Sequence, residues 1–192
     1  MKFVIATNNR SKLRELSDIL SSFGAEAVSL KDAGITSSPD ENGKTFEENA
    51  MIKAKAACEA SGLPAIGDDS GLEVKALSGA PGVFSHRWCE GTDEERLLYL
   101  LSRMEGKNDR TARFVSCIAC VFPDGRNVTV RGECYGEITE KPEGENGFGY
   151  DPVFYSPEFN KTFAQITAEQ KNGISHRGKA LAKLKAWLEE NI

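Results

Sequence analysis

Two adjacent carboxylates, Asp68 and Asp69, follow the apolar run at 63–67 and precede a Ser-Gly pair. Like charges repel, and more strongly beside a low-dielectric core than in water. A hard divalent cation such as Mg²⁺ relieves this repulsion, because it takes one or two carboxylates with water and phosphate oxygens. A carboxylate of such a pair can also deprotonate a water for attack on phosphorus. Two other interpretations stay open, a calcium-like structural site and a turn whose aspartates cap backbone N–H groups.

Three cations occupy positions where the sequence pattern does not favour a charge. Lys12 lies in the first turn of a predicted helix, where the helix dipole favours an anion. Lys53 falls on the apolar face of the predicted helix Thr45–Ser61, and Arg177 lies on the stripe of Leu181 in the C-terminal helix. These positions indicate anion binding. The open alternatives are a lysine that snorkels into water for Lys53 and a partly buried structural ion pair for Arg177.

The first predicted turn offers small polar groups and free backbone N–H groups at a helix N-terminus. Such a strand–turn–helix unit suits phosphate binding much as a P-loop does, although the Walker glycine pattern is absent. Its residues are Thr7, Asn8, Asn9, Arg10, Ser11 and Lys12. Phosphate-binding cations and metal-binding acids in one short chain together predict a nucleotide or phosphoester hydrolase.

A second loop, GFGYDP at 147–152, places an aromatic side chain between two glycines. Glycines let the backbone approach a ligand closely, and an exposed Phe148 would stack on a base. Packing in the core is the open alternative for both Phe148 and Tyr150.

Alternating strand and helix patterns must position these groups. Strands are predicted at 2–7, 25–30, 72–76, 111–122 and 127–136, with a hairpin at 123–126. Four helical regions are predicted. The first follows the cap Asn8-Asn9 and has an apolar stripe that ends at Phe23, and the second starts at the cap Thr45, with Glu48 completing a capping box. The third spans 92–105, and the fourth starts at Thr167 and is interrupted near Gly173. Asp68 and Asp69 are predicted to form a turn. The pattern indicates one mixed α/β domain over residues 1–192.

Composition narrows the class of protein. The formal charge of -5 argues against binding of a nucleic-acid backbone, so no nucleic-acid partner is expected. No apolar run approaches the ~18 residues of a membrane span, and the start lacks a signal-peptide pattern, so a cytoplasmic location without a membrane partner is expected.

Cys117 and Cys120 form a CxxC pattern within a predicted strand, where residues three apart face opposite sides. A shared metal or an easy disulfide is therefore not expected there. The five cysteines are predicted to be thiols, because their number is odd and no secretory context is present.

Six motifs along nearly the whole chain resemble the inosine triphosphate pyrophosphatase family. They are TNNRSK at 7–12, TFEENA at 45–50 with Lys53, DDSG at 68–71, GAPG at 79–82, GFGYDP at 147–152 and SHRG at 175–178. The resemblance implies an elongated α/β fold with a curved mixed β-sheet, flanking helices and two lobes around a central cleft. It also implies a homodimer that converts ITP, dITP or XTP and water into the monophosphate and pyrophosphate with Mg²⁺.

By motif position, the resemblance implies that Asp69 is the catalytic base and a magnesium ligand. Asp40 falls at the second metal ligand of the family, commonly a glutamate, so the choice between Asp40 and the adjacent Glu41 stays open. The implied substrate-binding residues are Thr7, Asn8, Asn9, Arg10, Ser11, Lys12, Lys53, Ser70, Phe148, Gly149, Tyr150, Asp151, Lys171, His176 and Arg177. A donor from Arg177 to the 6-keto oxygen of hypoxanthine or xanthine would face the amino group of adenine, which disfavours ATP.

Three other functions stay open at this point. The first is a nucleotide-binding regulator without chemistry, which pyrophosphate release would distinguish from an enzyme. The second is a single-strand nucleic-acid module built on the aromatic loop, against which the acidic charge counts. The third is a pyrophosphatase of the related septum-associated family, acting on pyrimidine or methylated nucleotides. The motifs at 147–152 and 175–178 favour the purine enzyme over the third.

Overall fold

A mixed sheet of seven strands with five α-helices is described in the computed structural model, which covers residues 1–22 and 24–191. The strands are β1 Lys2–Ile5, β2 Glu26–Ser29, β3 Ala65–Val74, β4 Thr111–Val121, β5 Asn127–Ile138, β6 Phe154–Ser156 and β7 Lys161–Thr162. The helices are α1 Arg10–Ser21, α2 Phe46–Ser61, α3 Asp93–Arg103, α4 Ala168–Ile174 and α5 His176–Asn191. The strand order is β2-β1-β3-β4-β5-β6-β7. Strand β1 is parallel to β2 and β3, whereas β6 is antiparallel to β5 and β7, which confirms the predicted mixed α/β class.

The chain divides into two compact units, and strands β3, β4 and β5 each contribute residues to both units. The first unit comprises Met1–Asp69, Ser116–Gly132 and His176–Ile192, and the second comprises Ser70–Val115 and Glu133–Ser175. The core of the first unit contains Phe3, Ile5, Leu16, Leu20, Ile66, Ile118, Cys120, Phe122, Ala180, Leu181 and Leu184. The core of the second contains Leu72, Val74, Leu97, Leu100, Met104, Ala112, Phe114, Cys134, Ile138, Tyr150, Val153, Phe154, Phe163 and Ile166. Each unit therefore has its own apolar interior.

Polar caps fix the starts of the helices that carry the predicted site. Asn9 caps α1, because its Oδ1 accepts a 3.0 Å hydrogen bond from the N–H three residues on. Thr45 caps α2 as predicted, by accepting from the N–H of Glu48 at 3.2 Å. The Glu48 carboxylate accepts from the N–H of Lys44 and not of Thr45, so the reciprocal half of the predicted capping box is wrong. Gly62 ends α2 with a φ of 66°, a left-handed conformation that favours glycine.

Strand β3 corrects the prediction of a turn at Asp68 and Asp69. Both residues lie within a continuous strand of 10 residues, buried except at half-buried Glu73. Glycine here serves close packing and not a turn, because a Cβ at Gly67 would lie 2.2 Å from the carbonyl oxygen of Ala50 on α2. Since neighbouring side chains of a strand alternate in direction, Asp68 and Asp69 project to opposite faces of the sheet.

The C-terminal helical region breaks two residues later than predicted. Gly173 lies inside α4, and the break is at Ser175, whose φ of -67° and ψ of 159° are extended. The break makes His176 the first residue of α5 and places Arg177 in its first turn. Phe23, which was expected to extend the stripe of α1, lies outside the described residues. Within the described residues, no helix combines the length and the apolar character that crossing a membrane requires.

Candidate active site

Asp68 is the centre of a buried ion cluster in the first unit. Its Oδ2 lies 3.1 Å from Nζ of Lys12 and 3.2 Å from Nη2 of Arg177. Its Oδ1 accepts a 2.7 Å hydrogen bond from Oγ of Ser116 on β4. Arg177, only 1% exposed, also donates to the carboxylate of Glu15 on α1. Two cations therefore face two carboxylates, and their contacts join α1, β3 and α5.

The charges of this cluster stabilise one another. Burial opposes ionisation of Asp68, but Arg177 and Lys12 outweigh it and hold the pKa of Asp68 well below its usual range. Burial lowers the pKa of Lys12, and Asp68 opposes that shift. The pKa of Arg177 is raised despite burial, because Asp68 and Glu15 stabilise the guanidinium. Asp68 is thus bound by side chains of the protein itself, and its negative charge balances the buried cations around it.

Asp69 lies on the other face of β3, against α2. Its Oδ1 is 3.1 Å from Nζ of Lys53, and its Oδ2 accepts a 3.1 Å hydrogen bond from Nδ2 of Asn49. Nζ of Lys53 is also 3.1 Å from Oε2 of Glu41. Oδ1 of Asn49 accepts a 2.8 Å hydrogen bond from the N–H of Gly43, which fixes the segment after Glu41. Lys53 is buried between two carboxylates, so the interpretation as a snorkelling lysine is wrong.

The pKa of Asp69 moves in the direction opposite to that of Asp68. Burial raises the pKa of Asp69, although Lys53 and Lys12 lower it. A carboxylate with a raised pKa accepts a proton more readily. Two neighbouring acids whose environments separate their pKa values are typical of sites with distinct acid–base roles. Asp69 is therefore the member of the pair suited to proton transfer.

The loop at 7–12 forms the predicted helix N-terminus. Oγ1 of Thr7 accepts a 3.2 Å hydrogen bond from the N–H of Asn9, whose own side chain caps α1. The N–H groups of a first helical turn have no intrahelical partner, and such groups bind anions. Asn8 and Arg10 are exposed, Thr7, Asn9 and Ser11 are half-buried, and Lys12 is buried.

In the second unit, Lys171 and Asp151 form a buried ion pair with 2.7 Å between Nζ and Oδ2. The same Oδ2 accepts a 2.8 Å hydrogen bond from the N–H of Phe148, and Nζ lies 4.8 Å from the centre of the Phe148 ring. Phe148 and Gly149 are half-buried. Tyr150 is buried in the core and its hydroxyl donates to a backbone carbonyl at 2.8 Å, which matches the alternative of core packing. The Lys171–Asp151 pair thus fixes one face of the aromatic loop.

The structure sorts the predicted residues of the first unit into two groups around neighbouring aspartates. Lys12 and Arg177 contact Asp68, whereas Lys53 contacts Asp69. Asp40 is exposed. His176 precedes Arg177 in the sequence and Ser70 follows Asp69. Both residues are buried, with 5% and 7% of their surface exposed.

Sequence reasoning missed three contributors to these groups and left a fourth as an alternative. Glu15, Asn49 and Ser116 were not predicted, and Glu41 was left as an alternative to Asp40. Helical spacing could have found two of them, because Glu15 follows Lys12 by three residues and Asn49 precedes Lys53 by four. Ser116 carries no local signal, since its contact with Asp68 spans 48 residues of sequence.

All five cysteines are free thiols, as predicted. Cys120 belongs to the core of the first unit, whereas Cys117 lies near Nη1 of Arg131, so the two point to different faces of β4. Within residues 1–22 and 24–191, no group of three or more His, Cys, Asp and Glu side chains is arranged to hold a metal.

Comparison with known proteins gives consistent matches along the chain. The family model described as the Ham1 family matches residues 3–187. A dITP/XTP pyrophosphatase of Haemophilus influenzae is 49% identical over 97% of this chain and 98% of its own length. A dITP/XTP pyrophosphatase of Symbiobacterium thermophilum is 50% identical over 98% of this chain and 98% of its own length.

Solved structures agree with these sequence matches. The Staphylococcus aureus Ham1 protein is 40% identical over 100% of both chains, with a TM-score of 0.89. A nucleoside-triphosphatase described as a dITP/XTP pyrophosphatase from Mycobacterium abscessus is 44% identical over 96% of this chain and 98% of its own, with a TM-score of 0.75. The matches extend over all six sequence motifs. The chain belongs to the Ham1 family.

Proposed function

We propose that this chain is a dITP/XTP pyrophosphatase, which hydrolyses ITP, dITP and XTP to the monophosphate and pyrophosphate and so removes non-standard purines from the nucleotide pool. Full-length relatives that carry this activity in their names support the proposal. The observation that carries it is Asp69, a buried carboxylate with a raised pKa that Lys53 and Asn49 hold in place. The enzyme is proposed to act as a cytoplasmic homodimer whose residues 1–192 form one functional domain.

Asp69 is the proposed general base. Lys53 and Asn49 each contact a different carboxylate oxygen, so the group is fixed in orientation before substrate arrives. The raised pKa favours transfer of a proton from water to Asp69, which prepares the water for attack on phosphorus. Asp68 supports this role indirectly, because the ion cluster around it holds the strand that carries Asp69.

Glu41 and Asp69 are the proposed magnesium ligands, with Glu41 chosen over Asp40. Oxygens of both carboxylates approach one ammonium at 3.1 Å, so the two acids already converge on a cation, whereas Asp40 is exposed. This donor set fits Mg²⁺, which binds through one or two carboxylates plus water and phosphate. When bound, Mg²⁺ neutralises phosphate charge and lowers the pKa of bound water.

The remaining predicted residues are proposed to bind substrate. The N-terminus of α1 with Asn8 and Arg10 suits the triphosphate, since both residues are exposed and a helix N-terminus favours an anion. Half-buried Phe148 suits stacking on the base. Residues proposed to complete the site are Thr7, Asn9, Ser11, Lys12, Lys53, Ser70, Gly149, Tyr150, Asp151, Lys171, His176 and Arg177. Arg177 is engaged by Asp68 and Glu15, which favours a role in positioning for its guanidinium.

The deciding experiment is pyrophosphate release from a panel of nucleoside triphosphates with Mg²⁺. We expect ITP, dITP and XTP to be cleaved well above ATP, because a site that pairs with a 6-keto group leaves the adenine amino group unpaired. Release no greater than background for every nucleotide would instead support a regulator. A preference for pyrimidine or methylated nucleotides would support the septum-associated activity.

Asp69→Asn tests the proposed base. The amide cannot accept the proton, so kcat should fall about 10³-fold or more while circular dichroism stays native. Asp18→Asn is the matched control, because Asp18 is an exposed aspartate on α1 outside both ion groups. A near-normal kcat for Asp69→Asn would remove Asp69 from catalysis.

A further inference from the structure

Lys53 occupies the place of a cation between the acids proposed as metal ligands. Its Nζ lies 3.1 Å from Oδ1 of Asp69 and 3.1 Å from Oε2 of Glu41. Asp69 comes from β3 and Glu41 from the segment before α2, so the two carboxylates reach this point from distant parts of the chain. Lys53 is 8% exposed, which means that its charge is held mainly by these two partners.

We propose that Lys53 is the internal counter-ion of the Glu41–Asp69 pair and that it competes with a divalent cation for the two carboxylates. The inference rests on the proposed function, which supplies the divalent cation. An ammonium and a divalent cation repel each other, and a partly desolvated site strengthens the repulsion. Both cations are held by the same two carboxylates, so Lys53 is displaced from at least one of them when the metal loads. The released ammonium then becomes available to a phosphate of the substrate.

Asp69 and the segment after Glu41 keep a common partner when Lys53 leaves. Nδ2 of Asn49 donates to Oδ2 of Asp69, the oxygen that Lys53 does not contact. Oδ1 of Asn49 accepts from the N–H of Gly43, two residues after Glu41. Asn49 is completely buried. One amide therefore holds Asp69 and the backbone two residues after Glu41 independently of the ammonium.

The first unit also contains space for the displaced side chain. A cavity of about 210 Å³ is bordered by Lys53 and by Ser37 and Ser38. Serine hydroxyls accept hydrogen bonds from an ammonium group. Ala56 and Ala57, on the next turn of α2, line the same cavity and are small. Lys53 can thus move by side-chain rotation, without displacement of the helix.

Direct Mn²⁺ binding without nucleotide, measured by electron paramagnetic resonance of the free ion, tests the competition. We expect Lys53→Met to lower the Kd for Mn²⁺ about tenfold or more, because the resident cation is gone. Lys53→Arg keeps the charge and should stay within about threefold of the wild type. Lys55→Met is the matched control, since it removes the same charge from an exposed position of α2 and should also stay within about threefold.

Two results would overturn the competition: Mn²⁺ binding by Lys53→Met that is no tighter than in the wild type, or an equal gain in Lys55→Met. If Lys53→Met does not fold, the wild type decides by acetylation of amines mapped by mass spectrometry. Lys53 should react faster when Mg²⁺ is added, and an unchanged rate contradicts its release. Neither readout requires turnover, so a chain without pyrophosphate release would refute the proposed function and leave this result standing.

Discussion

Asp68 and Asp69 are neighbours in sequence whose side chains meet opposite electrostatic conditions. Asp68 contacts two cations and a hydroxyl, and its pKa is held well below the usual range. Asp69 contacts one lysine and one amide, and its pKa is raised. Alternation along a strand separates the two side chains, so each can be tuned by different elements. A single step along the strand thus separates two carboxylates whose pKa values shift in opposite directions.

The first prediction at this scale concerns Asp68→Asn. Loss of the Asp68 carboxylate leaves the buried charges of Lys12 and Arg177 undercompensated, so the free energy of unfolding should fall by about 3–5 kcal/mol at pH 7. The folded pKa of Asp68 lies below the unfolded value of about 3.9, so its stabilisation is complete above about pH 4. The stabilisation is lost as pH falls toward the folded pKa.

Urea unfolding of wild type and Asp68→Asn between pH 7 and pH 3 measures this dependence. The gap between the two unfolding free energies should be constant near neutrality and should narrow below about pH 4. Asp18→Asn, at an exposed position of α1, should change stability by less than about 0.5 kcal/mol. A gap that grows as pH falls would contradict an ionised Asp68 in the folded state.

At the scale of elements, close contact between α2 and β3 determines where the contacts of Lys53 and Asn49 with Asp69 form. Gly67 faces α2 without a side chain, and a Cβ there would meet backbone atoms of Ala50 and Ala54. Lys53 and Asn49 extend from this helix to Asp69 at 3.1 Å each. The distance between helix and strand therefore sets the geometry around Asp69.

Gly67→Ala tests this packing. A Cβ 2.2 Å from a backbone oxygen forces α2 and β3 apart, so stability should fall by about 1–3 kcal/mol and kcat should fall with it. Gly173→Ala is the matched control, because nothing lies within 4 Å of its added Cβ and the residue is inside α4. That change should be neutral or stabilising by up to about 1 kcal/mol. Equal thermal unfolding midpoints for the two variants would contradict the packing argument.

At the scale of the whole molecule, three strands supply residues to both compact units. Each unit nevertheless buries its own core, with Cys120 in the first and Cys134 in the second. Because β3, β4 and β5 continue from one unit to the other, unfolding of either unit disturbs strands that the other uses. We therefore expect the two cores to be lost together.

Thiol labelling tests this cooperativity. In native protein only Cys89 should react rapidly with a thiol reagent, since it is the half-buried cysteine and burial raises the pKa of Cys120 to about 12. In rising urea, Cys120 and Cys134 should become labelled with the same midpoint, as mapped by mass spectrometry. Cys89→Ser should abolish the rapid native phase. A lower midpoint for Cys134 than for Cys120 would show that the second unit unfolds by itself.

Local patterns in the sequence determined most of the elements and the family to which the chain belongs. Caps such as Asn9 and Thr45 were predictable because each contact spans only three residues. The anomalous lysine and arginine positions were predictable from helical periodicity, and the family followed from six ordered motifs. Short-range hydrogen bonds and repeating geometry leave such signals in any sequence.

Only the tertiary structure decided which charges meet. Arg177 and Asp68 are separated by 109 residues, and nothing local predicts that this arginine closes on Asp68 and Glu15. The continuity of β3 reversed the predicted turn and sent the two aspartates to opposite faces. The contact of Glu41 with Lys53 likewise distinguishes it from Asp40. Long-range pairing depends on how strands and helices pack, and one-dimensional spacing does not contain that information.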